Sequence, residues 1–226
     1  MDRRALPGAG ALRRRRPGAV RDDDLERRAG DRAPAPARPG SRRYVSRPEH
    51  DHAKAGNLNH ALALVRTDLV AVLDADHVPD PDFLSRTVPY FADERLALVQ
   101  TPQHFYNTSS FEHLRPGVDL HEESLFYRVI QAGKHHAGAA FWCGTNAVLR
   151  VGALREVGGV ATESLTEDLH TTMKLHRAGW RSTYHNEVLA RGLAAGSPDA
   201  FYAQRRRWAG VRCRYCGTTT RSPPRG

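Results

Sequence analysis

DLVAVLDADHVPDPDF, from Asp68 to Phe83, decides the fold of this chain. Five apolar residues, Leu69 to Leu73, lie between Asp68 and Asp74, the pattern of a short buried strand. The HVPDPDF that follows signals a turn and the start of a new helix. Asp74 and Asp76, two residues apart at the strand's end, can reach the same side of the chain. In an open α/β sheet, ligands collect beyond the carboxyl ends of strands, which is where this pair falls. Adjacent carboxylates repel one another unless a cation lies between them. Mg²⁺ or Mn²⁺, hard ions that prefer oxygen ligands, would fit and would also bridge phosphate oxygens. The competing reading is a solvated acidic turn. His77 reads first as a surface turn histidine and only second as a further ligand or hydrogen-bond partner.

Outward from this strand, helices and strands alternate. Leu58, Ala61, Leu62 and Val65 recur at helical spacing, so an amphipathic helix is expected from Ala53 to about Val65. Leu96 to Gln100 reads as a second strand and Phe141 to Arg150 as a third. Thr166 is placed to cap a helix that runs to about Ala178, with Gly179 just past its end. Ser197, Pro198 and Asp199 start another helix, with Pro at the first helical position. The order of Thr101 to Gly138 is the hardest to foresee. Together these elements predict an α/β sheet with helices on both faces.

The chain has 226 residues and a formal charge of +9, concentrated at its ends. Residues 1–43 hold thirteen arginines against six acidic residues, and residues 209–226 add four arginines and no acid. The stretch between is mildly acidic, which argues against nucleic acid as a partner. The Pro-, Ala-, Gly- and Arg-rich head, residues 1–43, has no periodicity and reads as disordered or as a frameshifted segment; the tail, 211–226, reads as disordered. Of the three cysteines, Cys213 and Cys216 form a lone CxxC, short of the four ligands of a zinc site, and reduced thiols in a cytosolic setting are expected. No apolar run of 18 residues exists to span a bilayer, and no signal peptide is evident.

Two further patches carry chemistry. Asp168, in TED at Thr166 to Asp168, is a carboxylate in the first turn of a helix, suited to act as a general base if a substrate hydroxyl comes within hydrogen-bond reach. The helix N-terminus lowers its pKa and burial raises it, and the balance is not readable at this level. Glu167 points elsewhere and reads as structural. QRRRW, Gln204 to Trp208, puts Gln204, Arg207 and Trp208 on one helix face. Guanidinium groups grip phosphate oxygens, and an indole face stacks on a pyranose ring.

HAKAGNLNHAL from His52, VLDADHVPDPDFL from Val72, VQTPQHFYN from Val99, FWCGTNAVLR from Phe141, TEDLHTTMKLHRAGW from Thr166 and QRRRWAG from Gln204 occur in one order. In this set the stretch from residue 44 to 210 resembles the catalytic domain of cellulose synthase-like, processive glycosyltransferases of family 2. The resemblance implies a GT-A fold, Rossmann-like and here incomplete in its N-terminal part. It also implies inverting transfer of a sugar from a nucleotide-sugar donor, UDP-glucose foremost, to the hydroxyl end of a growing β-glycan, with Mg²⁺ or Mn²⁺ as cofactor. By the same resemblance, Asp74 and Asp76 hold the metal, with Asp74 also at the diphosphate, and Asp168 is the catalytic base. Lys54 and Arg207 contact the donor, and Gln204, Trp208, Cys143 and Gly144 the acceptor. The family's membrane helices are absent from the sequence, so the plasma membrane, with the catalytic domain on its cytoplasmic side, is expected of the full-length family only. Asp22, Asp23 and Asp24 follow no apolar strand, and no uracil-binding role is carried to them.

Two other readings compete. One is a truncated, inactive fragment of such an enzyme. The other is a haloacid dehalogenase-type phosphohydrolase, whose DxDxV motif is met by Asp74, Asp76 and Val78 but whose later lysine has no convincing counterpart in Lys134 or Lys174.

Overall fold

Strand β1, Leu69–Val72, forms where expected, and alternate residues of it face opposite layers of core. The computed structural model describes residues 44–47, 51–107, 123–164 and 166–206. The expected head (1–43) and tail (211–226), and the candidate residues Arg207 and Trp208, lie outside the described residues. The further strands are β2 (Val78–Pro79), β3 (Leu96–Gln100), β4 (His104–Phe105), β5 (Ala147–Arg150), β6 (Arg181–Tyr184) and β7 (Ala190–Gly192). The helices are α1 (Ala53–Leu64), α2 (Phe83–Thr87), α3 (Ala132–His136), α4 (Val151–Glu156), α5 (Glu167–Arg177) and α6 (residues 198–206). A wider helical stretch, Leu125–Gln131, leads into α3.

Four strands form the main sheet in the order β1-β5-β3-β6. β5 runs antiparallel to both β1 and β3, while β6 is parallel to β3. A small second sheet has the order β2-β7-β4. Alternation within the strands builds two cores. Val70, Val72, Leu98, Ala147 and Leu149 pack with Ala55, Leu58 and Leu62 of α1. Leu69, Leu73, Val99 and Val148 pack with Phe83 and Phe91 on the other side. Helical segments therefore cover both faces of the sheet, and burial of each aliphatic side chain contributes about 1.5–3 kcal/mol.

Two expectations about the strands need correction. The third strand is Ala147–Arg150, not Phe141 to Arg150, because Gly144 (φ 85°) and Asn146 (φ 53°) leave the extended region and make residues 141–146 a loop. β1 is also less buried than its composition predicts: it is an edge of the described sheet, and Ala71 is exposed.

Three local devices set the site's framework. Asn59 hooks α1 to the loop after α4, its amide donating to the Val160 carbonyl (2.8 Å) and accepting the Val160 N–H (2.7 Å). On α5, Thr172 Oγ1 donates to the Asp168 carbonyl (3.0 Å) and accepts the Trp142 N–H (3.0 Å), tying the helix to the 141–146 loop. Thr166 precedes α5 as expected, but its hydroxyl pairs with that of Ser164 (3.0 Å) and caps no helical N–H. Gly179 (φ 87°) follows the helix end, and Ser197 Oγ accepts the Ala200 N–H (3.2 Å) at the start of α6, both as predicted.

Candidate active site

Lys54 lies in the first turn of α1, and its ammonium reaches across to the end of β1. There it donates to Asp74 Oδ1 and to the Gly144 carbonyl (2.7 Å). The Asp74 N–H donates to Thr145 Oγ1 (2.8 Å), so the strand end and the 141–146 loop are bonded at backbone and side chain alike. Gly144 is the hinge of this arrangement. A Cβ placed on it would lie 3.3 Å from Asp168 Oδ2 and 3.7 Å from Lys54 Nζ. The absence of a side chain there lets a carboxylate and an ammonium close over the loop, and the positive φ favours glycine independently. Lys54, Asp74, Gly144 and Asp168, distant in sequence, thus meet at one point.

Burial pushes the Asp168 carboxyl up to about 6, from an ordinary 3.8. The Leu169 N–H, donated to its Oδ1 at 2.7 Å, and the nearby Lys54 charge pull the other way, while Glu167 adds to the rise. Desolvation therefore wins over the helix start, the balance that sequence left open. A carboxylate in this range is ionised at neutral pH yet more basic than a solvated one, which suits proton abstraction.

Asp74, Asp76 and His77 bring one ligand atom each to within 4.8 Å of one another. Two carboxylates and an imidazole suit a hard divalent cation, Mn²⁺ tolerating the imidazole better than Mg²⁺. The side chains of Asp74 and Asp76 are 39% and 44% exposed, which leaves the cluster open to an incoming ligand. His77 is not the surface turn histidine expected. Its side chain is 1% exposed, with Nδ1 3.1 Å from Asp76 Oδ1 and a buried Nε2 that has no protein partner. The ring lies against Gly192 of β7, where a Cβ would fall 2.4 Å from it, and edge-on to Phe105 of β4. The small sheet thus holds the imidazole beside Asp76, a placement no local pattern could reveal.

Cys143 sits in the same loop as Gly144. Its thiol is pushed up by burial first and by the Asp168 charge second, and Gln131 Nε2 donates to Sγ (2.9 Å). Gln204 is half-buried on α6. Two contributors escaped the sequence reading. Gln100 ends the fully buried run LALVQ; its Nε2 donates to the Thr145 carbonyl (2.9 Å) and its Oε1 accepts the Cys143 N–H (2.8 Å). Thr145, already seen at Asp74, is the other. A polar residue closing a fully buried strand was the available signal for Gln100.

The family model described as Glycosyl transferase family group 2 matches residues 69–221. The chain belongs to that family. The "Cellulose synthase 1 catalytic subunit [UDP-forming]" of Komagataeibacter xylinus is 44% identical over 170 residues, covering 74% of this chain and 23% of the relative. The "Cellulose synthase catalytic subunit [UDP-forming]" of Xanthomonas axonopodis pv. citri is 45% identical over 172 residues, with the same coverage. A "Putative cellulose synthase 2" of K. xylinus is 45% identical over 169 residues, which is 11% of its length. The chain thus spans between about a tenth and a quarter of the curated relatives it matches. Among solved structures, a mannosyltransferase from Pyrobaculum calidifontis, in complex with GDP-Man and Mn²⁺, superposes with a TM-score of 0.55 at 22% identity, over 76% of this chain and 45% of that one. The fold is the α/β GT-A fold that the resemblance implied. Family membership leaves no support for the phosphohydrolase reading. Among the described residues, no helix is long and apolar enough to cross a membrane.

Proposed function

We propose that this chain carries the donor-binding and base-bearing part of an inverting hexosyltransferase, which moves a sugar, most simply glucose from UDP-glucose, onto the hydroxyl end of a β-glycan. The observation that carries the reading is the meeting of Lys54, Asp74 and Asp168 around Gly144, next to the Asp74, Asp76 and His77 cluster. UDP-forming relatives and a Mn²⁺-bound structural neighbour support the donor class and the cation.

In this reading the acceptor hydroxyl oxygen attacks the anomeric carbon from the face opposite the diphosphate. The new C–O bond forms as the bond to the diphosphate oxygen breaks, and Asp168 takes the hydroxyl proton. Asp74, Asp76 and His77 would hold a divalent cation, Mn²⁺ before Mg²⁺, which when bound supplies charge stabilisation to the departing diphosphate. Lys54 lends positive charge on the donor side and fixes Asp74. Arg207 is proposed at the diphosphate, and Gln204, Trp208, Cys143 and Gly144 at the acceptor. The whole enzyme is proposed to work at the plasma membrane, with this domain on the cytoplasmic side.

Calorimetry of the purified chain with Mn²⁺ tests the reading. UDP is expected to bind, and Asp76→Ala to weaken it by about tenfold or more, the loss of roughly 1.4 kcal/mol or more that follows from removing one carboxylate of a charged ligand set. Absence of UDP affinity, or affinity indifferent to Asp76→Ala, refutes the nucleotide-sugar site.

A further inference from the structure

Glu123 is 8% exposed, an unusual place for a carboxylate, and it stands at the mouth of the helical stretch that runs through Leu125–Gln131. Its Oε1 accepts a hydrogen bond from Arg205 Nη2 at 3.0 Å. Arg205 belongs to α6, and its guanidinium also lies over the Phe201 ring, 5.0 Å from the centroid. On the other side, the helical stretch that begins beside Glu123 sends Gln131 to the loop of the active site. The Gln131 amide donates to the Phe141 carbonyl (2.9 Å) and to Cys143 Sγ (2.9 Å). Tyr127, one turn on from Glu123, donates its hydroxyl to Gln103 Oε1 (3.2 Å), beyond the end of β3. The charge of Glu123 is felt at both Tyr127 and Cys143.

A buried carboxylate hydrogen-bonded to a guanidinium couples the two elements that carry them, because removing either group forfeits a charge-assisted hydrogen bond. Such a pair therefore fixes the distance between the two elements it joins. The elements here are α6, which bears Gln204, and the helix whose far end braces Cys143. We infer that Glu123 is a positioning residue: through Arg205 it ties α6 to the helical stretch that braces residues 141–146, and so fixes the acceptor side relative to the base. This assignment rests on the acceptor role proposed above for α6 and Cys143. Nothing in the transfer chemistry passes through Glu123 itself.

The test uses the whole chain and the variants Glu123→Gln, Arg205→Met and the double variant. Hydrogen exchange at the amides of residues 201–206 reads the seating of α6. Each single variant is expected to speed exchange there roughly tenfold or more, with the double variant no faster than the worse single, the coupling expected of a directly bonded pair. Binding of Mn²⁺ alone should stay within about twofold of the parent for all three, since Asp74, Asp76 and His77 are not touched. Unchanged exchange in 201–206, strictly additive effects, or an equal acceleration across β1 and β3 overturns the proposal. Cellohexaose binding by the same proteins separates the two layers of inference: binding weakened in both single variants, and no further in the double variant, supports the positioning of an acceptor site. Affinity that follows neither variant while exchange still couples overturns the proposed consequence for the acceptor, and failure of the parent to bind UDP overturns the underlying functional reading.

Discussion

Asp168→Asn should make the protein more stable while destroying the proposed transfer, and the gain should depend on pH. The folded-state carboxyl is raised from 3.8 to about 6, chiefly by burial. A raised carboxyl means that the folded state binds its proton more tightly than the unfolded chain does. The stability this supplies is fully present below about pH 4 and is lost as pH rises through about 6. At about 1.4 kcal/mol per pKa unit, the ionised Asp168 costs the fold ~3 kcal/mol above pH 7. Asparagine has nearly the same shape, keeps an oxygen for the Leu169 N–H and carries no charge to desolvate. Urea denaturation of both proteins at pH 4, 6 and 8 should therefore show little difference at pH 4 and the full advantage of the variant at pH 8. With a slope of about 1–3 kcal/mol per molar urea, the midpoint should move up by at least ~1 M at pH 8. Glu163, whose carboxyl is held low chiefly by hydrogen bonds from backbone N–H groups, has the opposite pH dependence, but it is common to both proteins and cancels in the comparison. A difference that is flat in pH, or a variant less stable than the parent at pH 8, would show that desolvation does not dominate at Asp168.

Gly192→Ala should lower the melting temperature and weaken cation binding together. Its Cβ would meet the buried His77 ring at 2.4 Å, and overpacking of this kind costs about 1–3 kcal/mol; a normal Mn²⁺ titration in a destabilised variant would uncouple the small sheet from the cluster. Lys54→Met should act in opposite directions on two ligands. With the ammonium gone from Asp74, Mn²⁺ alone should bind a few-fold tighter and UDP more weakly, and a parallel loss of both in calorimetry would assign Lys54 a merely structural role.

Much of the fold was legible because its signals are local. The run Leu69 to Leu73, the buried LALVQ and the caps at Ser197 and Gly179 each depend on a few neighbouring residues, and each element formed within a residue or two of its expected span. The third strand was overextended because Phe141 to Asn146 reads as apolar and small, and only backbone conformation at Gly144 and Asn146 distinguishes a loop there. Edge and centre were likewise invisible: the apolar content of β1 resembles that of a central strand, yet among the described residues it pairs with β5 alone.

The candidate site divides along the same line. Sequence alone determined which functional groups the proposed site has to work with, the carboxylates of Asp74, Asp76 and Asp168 and the amine of Lys54, since a functional group belongs to its residue whatever the fold. The order of the six segments from HAKAGNLNHAL to QRRRWAG also sufficed to name the family. The tertiary structure decided what those groups are next to. It brought Asp168 over Gly144 toward Lys54, buried it enough to raise its carboxyl, and turned His77 from the surface to the flank of Asp76. Basicity, burial and ligand geometry are properties of separations through space, and residues separated by about 90 positions along the chain acquire such separations only when the sheet and its loops are assembled.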